Sequence, residues 1–478
     1  MAIHCSSLKN TMASIEQKSS RLNEFLENPE KGLWKLSVPV MAGMGIQTLY
    51  TIVDMIFIGR LGGKSIAAVA FNMPLFFFVL GLTMGLGSGV TASIARFIGA
   101  NDKVNADNSA EHAVIMGLII SISLTTIGLV WGPDILRGIG ATDDVINISW
   151  SYLRVICIGL PFMVFSAFFR SILVGEGDTK FPMTVAALGT VLNIILDPIF
   201  IFTLKLGVAG AAWATAISQF IVFIIFIYML FIKEHSYITF RMKDFSPSKY
   251  IVRDIVKVGL PASMSMVIMS FGQLVFNRIL IHFSTDAVAA YQIGGRIDMV
   301  IFLPIMSISY GLTTLVGMFF GAKRMGKAKH IIYYGLSRSF MIAIIMSSLV
   351  YLNAPILVSI FTDIQYIQDT AITYLRLLSL VYPFVAIAMP AGRILQGFGL
   401  GLPTLVITLI RVLLVASPLS LYFIFIQNRP VEWVWYSMMV STVVAFVVAV
   451  GWVLWALKKY TFQPLGVQHE KTQLEPNQ

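Results

Sequence analysis

Asp54 and Asp197 are carboxylates set inside long apolar runs. A charged side chain deep in hydrocarbon costs roughly 2.5 to 3.5 kcal/mol, so each needs a partner or a function. If the runs are helical, Gly43, Gln47, Tyr50 and Asp54 share one face, and Asn193 stands one turn from Asp197. At 1.5 Å per residue, Asp54 lies about 30 Å from Trp34 and Asp197 about 24 Å from Phe181, which sets both in the same outer half of a bilayer. Thr215, early in the run that starts near Gly207, and Tyr152, at the opening of another, fall at comparable depth. Carboxylate, amide and hydroxyl groups from four helices can therefore converge. Two carboxylates close together do not both ionise freely, which makes the pair a proton switch. The same oxygens equally suit a hard-ligand cage for a small cation. The plainer alternatives are that Asp54 caps a helix end near the headgroups and that Asp197 bonds backbone loosened by Pro198.

Other polar groups say less. Arg296 and Asp298, with Asn277, Arg393 and Arg411, also lie within apolar runs, and Arg296 and Asp298 can pair or line a cavity. Gly81, Gly85, Gly87 and Gly89 read as close helix packing. Met264, Met266, Met269, Met299 and Met306 read as core, or as an adaptable surface for varied apolar cargo. No P-loop is present, the six His residues show no metal-ligand spacing, and no Ser or Cys has a nucleophile's setting, so no enzyme is indicated and no cofactor is called for.

The elements that must position these groups follow from composition. The 478 residues are 57% hydrophobic and 12% charged, with a mean hydropathy of +0.81, more apolar than a wetted globular surface allows. Apolar segments fall at about 33–57, 66–93, 112–132, 148–172, 181–203 and 208–232, then at 254–282, 287–319, 331–352, 368–394, 403–425 and 433–457. Their length matches a hydrocarbon core about 30 Å thick, and they lack the short alternating pattern of barrel strands. The reading is an all-α membrane protein of twelve transmembrane helices. Loops after even-numbered spans carry more Lys and Arg than those after odd-numbered ones, which places both termini in the cytoplasm. The net charge of +10 then belongs to those loops and calls for no nucleic acid. Cys5 and Cys157 fall in the N-terminal arm and in mid-helix, which argues against a structural disulfide.

The chain also repeats itself. An offset of 222 residues brings Pro39 onto Pro261, Gly99-Ala100 onto Gly321-Ala322, Tyr152-Leu153-Arg154 onto Tyr374-Leu375-Arg376, Pro161 onto Pro383, and Gly175-Glu176-Gly177 onto Gly397-Phe398-Gly399. Six spans per copy is even, so the copies insert with the same orientation about an axis along the membrane normal. The expected organisation is an arm (1–29), an N-lobe (30–232), a polar linker (233–252), a C-lobe (253–457) and a tail (458–478). Asp54 falls opposite Phe276, and Asp197-Pro198 opposite Ser417-Pro418 after a small gap, so the copies divide the work. Pro39 donates no backbone hydrogen bond and leaves the first span easy to bend.

Pro39 with Gln47-Thr48-Leu49-Tyr50 and Asp54, Gly99-Ala100, Gly175-Glu176-Gly177-Asp178, Leu192-Asn193-Ile194-Ile195-Leu196-Asp197-Pro198, and Gly210-Ala211-Ala212-Trp213-Ala214-Thr215 together resemble the multidrug and toxic compound extrusion (MATE) transporters, most of all their archaeal and DinF-like branch. The resemblance covers nearly all of residues 30–457. It implies two pseudo-symmetric six-helix lobes forming a V, and efflux of cationic or amphipathic organic compounds in exchange for Na+ or H+. The residues matching that branch's coupling site are Asp54, Asn193, Asp197 and Thr215, where Na+ would bind, with Ala211 as a backbone ligand. Gln47, Tyr50, Tyr152 and Pro39 match the surrounding network. Other branches use second-lobe carboxylates, and here Asp298, with Gln273 and Arg296, leaves a second-lobe contribution open. The expected setting is a monomer in the plasma membrane, among lipids. A flippase of lipid-linked oligosaccharides on a related fold is the alternative within transport, and a non-transporting receptor or scaffold is the alternative outside it.

Overall fold

The computed structural model describes residues 22–241 and 245–462; the N-terminal arm up to residue 21, with Cys5, residues 242–244 and the tail from residue 463 lie outside them. Every described apolar run is a helix. In chain order they are α1 (Pro29–Gly59), α2 (Gly63–Gly99), α3 (Lys103–Ile139) and α4 (Asp143–Gly175), then α5 (Lys180–Thr203) and α6 (Gly207–Ile232). The second copy gives α7 (Lys249–Leu280), α8 (Thr285–Gly321), α9 (Met325–Ser359), α10 (Gln365–Ser379) and α11 (Tyr382–Gly397). It ends with α12 (Leu402–Ile426) and α13 (Glu432–Phe462). Among the described residues ten helices are long and apolar enough to cross a bilayer, and α10 with α11 makes an eleventh. The remaining helix of the twelve expected is α1, with 31 residues, which is not among those spans.

The duplication extends to individual bonds. Pro161 cannot donate to the carbonyl of Cys157 one turn earlier, and the Thr125 hydroxyl donates to that carbonyl instead, at 3.1 Å. Exactly 222 residues on would be Pro383, Ser379 and Ser347, and the Ser347 hydroxyl donates to the Ser379 carbonyl. Thr91 donates to the Ser171 carbonyl at 2.8 Å, and its counterpart Thr313 to that of Arg393 at 3.3 Å. Asn101 and Lys323 both take a φ of 57°, and Gly177 and Gly399 take 86° and 82°. Residues that repeat in sequence thus make the same turns and the same cross-helix bonds.

One expected continuous span is broken. The segment read as 368–394 bends by 62° between α10 and α11, where Leu380 and Val381 close tight turns onto Leu377 and Leu378. Its counterpart α4 runs unbroken through Pro161. A proline alone therefore does not decide the break; at the bend Tyr382 turns its hydroxyl onto Asp298. The fifth helix of each copy passes into a wider π-turn, at Ile199–Thr203 after Pro198 and at Tyr422–Ile426 after Pro418.

The described chain divides into two compact units. The first holds Val38–Ile94 and Lys103–Ser263, the second Leu22–Ser37, Ala95–Asp102 and Met264 onward. The first unit is built on apolar clusters around Leu136, Leu153 and Leu160, and around Ile58, Val69, Ile201 and Ala211. The second has a larger cluster including Phe276, Ile301, Tyr374, Tyr382 and Trp435. Within the second unit the last turns of α2 and α8 meet backbone to backbone. A methyl group at Gly99 would lie 1.9 Å from the Met318 carbonyl oxygen, and one at Gly321 would lie 2.0 Å from that of Arg96. Both positions of this repeated pair therefore require glycine.

Candidate functional site

Four helices of the first unit bring polar groups together. Asp197, at the end of the α-helical part of α5, is fully buried and Asn193 nearly so. Asn193 Nδ2 donates to Asp197 Oδ1 at 3.2 Å. The other carboxylate oxygen, Oδ2, is buried and receives no hydrogen bond. A buried acceptor left empty costs on the order of 1–3 kcal/mol, so it invites a proton, a water or a cation.

Around it, Asp54 on α1 is half-buried and close enough to Asp197 for the charges to interact. Tyr50, one turn before Asp54, lies within electrostatic range of Asp54, Tyr152 and Asp197. Thr215 donates its proton to the Ala211 carbonyl at 3.1 Å, and its side chain lies beside the Tyr50 phenol. Tyr152 on α4 lies within electrostatic range of both Asp54 and Asp197. Gly210 makes this closeness possible: a methyl group there would lie 2.6 Å from the Phe200 carbonyl, so α6 packs directly on the π-turn of α5 and carries Ala211 and Thr215 with it.

Tyr50, Asp54, Tyr152, Asn193, Asp197, Ala211 and Thr215 thus assemble. Gln47 stands one turn from Tyr50 with an exposed side chain. Pro39 lies within α1, about 22 Å along the helix from Asp54 at 1.5 Å per residue. Among the described residues no three His, Cys, Asp or Glu side chains gather, and the donors at this site are hard oxygens. They fit a proton or a small hard cation, and the empty Asp197 oxygen is where such a ligand would be held.

Asp298, Gln273 and Arg296 belong to the second unit. Asp298 Oδ2 accepts from the Tyr374 hydroxyl at 2.8 Å, and Oδ1 accepts from that of Tyr382. These two tyrosines were not singled out from sequence as its partners. The repeat held a signal for Tyr374, which corresponds to Tyr152, but none for Tyr382. Tyr291 and Tyr374 pack around Trp435, with ring centroids 6.0 and 4.9 Å from it. Gln273 lies apart in an amide chain: it donates to Gln292 at 3.3 Å, and Gln292 donates to Asn277 at 3.1 Å. Arg296 is exposed. Arg393 stacks 4.4 Å over Tyr310 and donates to Gln396 at 3.2 Å, while Arg411 sits close to Tyr291 and Tyr374.

The sequence profile of the MatE family matches residues 39–199 and again residues 261–421, two blocks in register with the internal repeat. The probable multidrug resistance protein NorM of Thermotoga maritima is 30% identical over 406 residues, covering 82% of this chain and 86% of that one. The multidrug export protein MepA of Staphylococcus aureus is 28% identical over 361 residues, covering 75% of this chain and 80% of its own length. A solved outward-facing multidrug resistance MATE family transporter of the MOP superfamily aligns with a TM-score of 0.87 at 33% identity, over 91% of this chain and 97% of that one. With one family match in each repeat and the same helical fold, this multi-pass membrane protein belongs to the MatE family, a family of transporters rather than enzymes.

Proposed function

We propose that the protein is a secondary active multidrug efflux transporter that moves cationic or amphipathic organic compounds against Na+ or H+ by alternating access. The relatives named for multidrug resistance and export support the cargo class. The empty, buried oxygen of Asp197 carries the coupling assignment. It lies beside Asn193 and within reach of Asp54, in the half of the chain that keeps carboxylates where the other has Phe276 and Ser417. In this reading Asp54, Asn193, Asp197 and Thr215 take the ion, with the Ala211 carbonyl as a further ligand, and Gln47, Tyr50 and Tyr152 surround them. Asp298, with Gln273 and Arg296, has a lesser part.

Loading or neutralising the two carboxylates changes how α1 is tied to α5 and α6. Because Pro39 leaves α1 easy to bend, that change shifts a balance between two conformations. The lobes 30–232 and 253–457, joined by the linker 233–252, work as a monomer in the plasma membrane, with both termini in the cytoplasm. The test is export of a fluorescent organic cation from proteoliposomes under Na+ and H+ gradients imposed separately. Efflux driven by at least one gradient supports the reading, and efflux indifferent to both overturns it.

A further inference from the structure

In the connection between α6 and α7, the described residues 233–241 and 245–248 are strapped onto the first unit by side chains that ion coupling does not use. Glu176 Oε2 accepts from the Ser236 hydroxyl at 2.6 Å and from the Tyr237 backbone N–H at 2.8 Å. Asp107 Oδ1 accepts from the Thr239 N–H at 3.0 Å, and Glu111 Oε1 from the Arg241 N–H at 2.9 Å. The N–H groups at residues 237, 239 and 241 each end on a carboxylate, and that of Ile238 is shared between Glu176 and the Ser236 hydroxyl. Asp107 and Glu111, a turn apart on α3, thus take the N–H groups of Thr239 and Arg241, two residues apart on the strap. Lys103 joins them, bonding Asp107 at 2.7 Å and the Tyr237 carbonyl at 3.0 Å. Farther on, Asn108 Nδ2 donates to the Ser246 carbonyl at 2.9 Å.

A histidine closes each end. At the start, His235 Nε2 meets Asp178 Oδ2 at 3.0 Å. At the head of α7, His112 is buried, and its ring lies 4.8 Å from that of Phe245. Its Nδ1 is 2.8 Å from the Asn108 carbonyl, which can only accept, so Nδ1 carries the proton. Its Nε2 accepts the Ser248 N–H at 2.9 Å. Both contacts require the neutral ring in a single tautomer. A proton on Nε2 would set one N–H against another and remove this bond. At His235 the sign is opposite, because a charged ring binds the Asp178 carboxylate more strongly. The charged residues next to these contacts are Glu111, beside His112 on α3, Arg241, whose N–H meets Glu111, and Lys249, which follows Ser248 at the head of α7.

We propose that these contacts form a pH-operated latch, in which neutral His112 pins the strap's Ser248 end, at the head of α7, to α3, and protonated His112 releases that end while His235 and Asp178 hold the other. The helix it acts on is the one whose first part, to Ser263, belongs to the first unit and whose remainder belongs to the second. Backbone hydrogen exchange of the full chain, purified in detergent, tests this at pH values from about 8 to about 5, the range where free imidazole titrates. After correction for the intrinsic pH dependence of exchange, protection of residues 248–252 should fall several-fold on acidification, while that of residues 235–239 holds or rises. In His112→Gln the response at 248–252 should be absent; if that variant does not fold, His112→Asn serves in its place. A wild-type response that is flat, that loosens both ends alike, or that survives in the variant overturns the proposal.

Discussion

Each copy of the repeat buries a carboxylate near the same tyrosine position, Tyr152 in the first and Tyr374 in the second, yet the two carboxylates are finished differently. Asp298 has both oxygens filled, by the Tyr374 and Tyr382 hydroxyls. Asp197 has one oxygen on Asn193 and one empty. The exchange is reciprocal in sequence as well: Asp54 stands opposite Phe276, and Asp298 opposite Phe76. A satisfied buried carboxylate holds its neighbours in place, whereas one with an unfilled oxygen can bind and release. The two halves thus differ in one respect: the first keeps a buried carboxylate with an unfilled oxygen, and the second a buried carboxylate with both oxygens hydrogen-bonded.

The sharpest way to break this contrast is Asp197→Asn. It should reduce ion-driven efflux to the level of empty liposomes while the protein still inserts and purifies; wild-type rates at equal expression would refute it. Next in size is a ranking. Asp54→Asn should lower drug export by about 5- to 150-fold, the span of an ordinary coupling energy, and Asp298→Asn by less, in a side-by-side resistance assay. The reverse order would move the coupling site to the second half.

A smaller effect separates structure from switching. Tyr374→Phe or Tyr382→Phe leaves an Asp298 oxygen unfilled and should cost on the order of 1–3 kcal/mol of stability, read as a lower thermal midpoint. Tyr152→Phe should change the ion dependence of efflux and leave the midpoint nearly unmoved. Equal midpoint shifts for the two positions would show that the halves do not differ in this way.

The spans and the repeat were legible because bilayer thickness and duplication are written in the order of residue types. So was the pairing of Tyr50 with Asp54 and of Asn193 with Asp197, since each pair follows helical spacing. The bend at Leu380–Val381 was not, because Pro161 and Pro383 are the same residue with the same hydroxyl rescue of the orphaned carbonyl, and only one of them breaks its helix. The strap was silent for another reason. Its N–H donors at residues 237, 239, 241 and 248 are backbone groups, which any sequence supplies, and their acceptors lie 61 to 136 residues away in the chain. The remaining clue was charge: Gly175-Glu176-Gly177-Asp178 keeps two acids where the second copy, Gly397-Phe398-Gly399-Leu400, has none. Tyr382 gave no signal because its contact with Asp298 depends on the bend itself.

The most direct test of the first half as the coupling switch is equilibrium binding of a labelled organic cation across Na+ concentrations and pH. If ion loading at Asp54 and Asp197 shifts a two-state balance, drug and coupling ion must weaken each other's binding by the same factor, because linkage between two sites is reciprocal. Drug affinity should then fall as Na+ or H+ rises in the wild type, and this dependence should disappear in Asp197→Asn. Drug affinity that stays flat across both titrations in the wild type would contradict it.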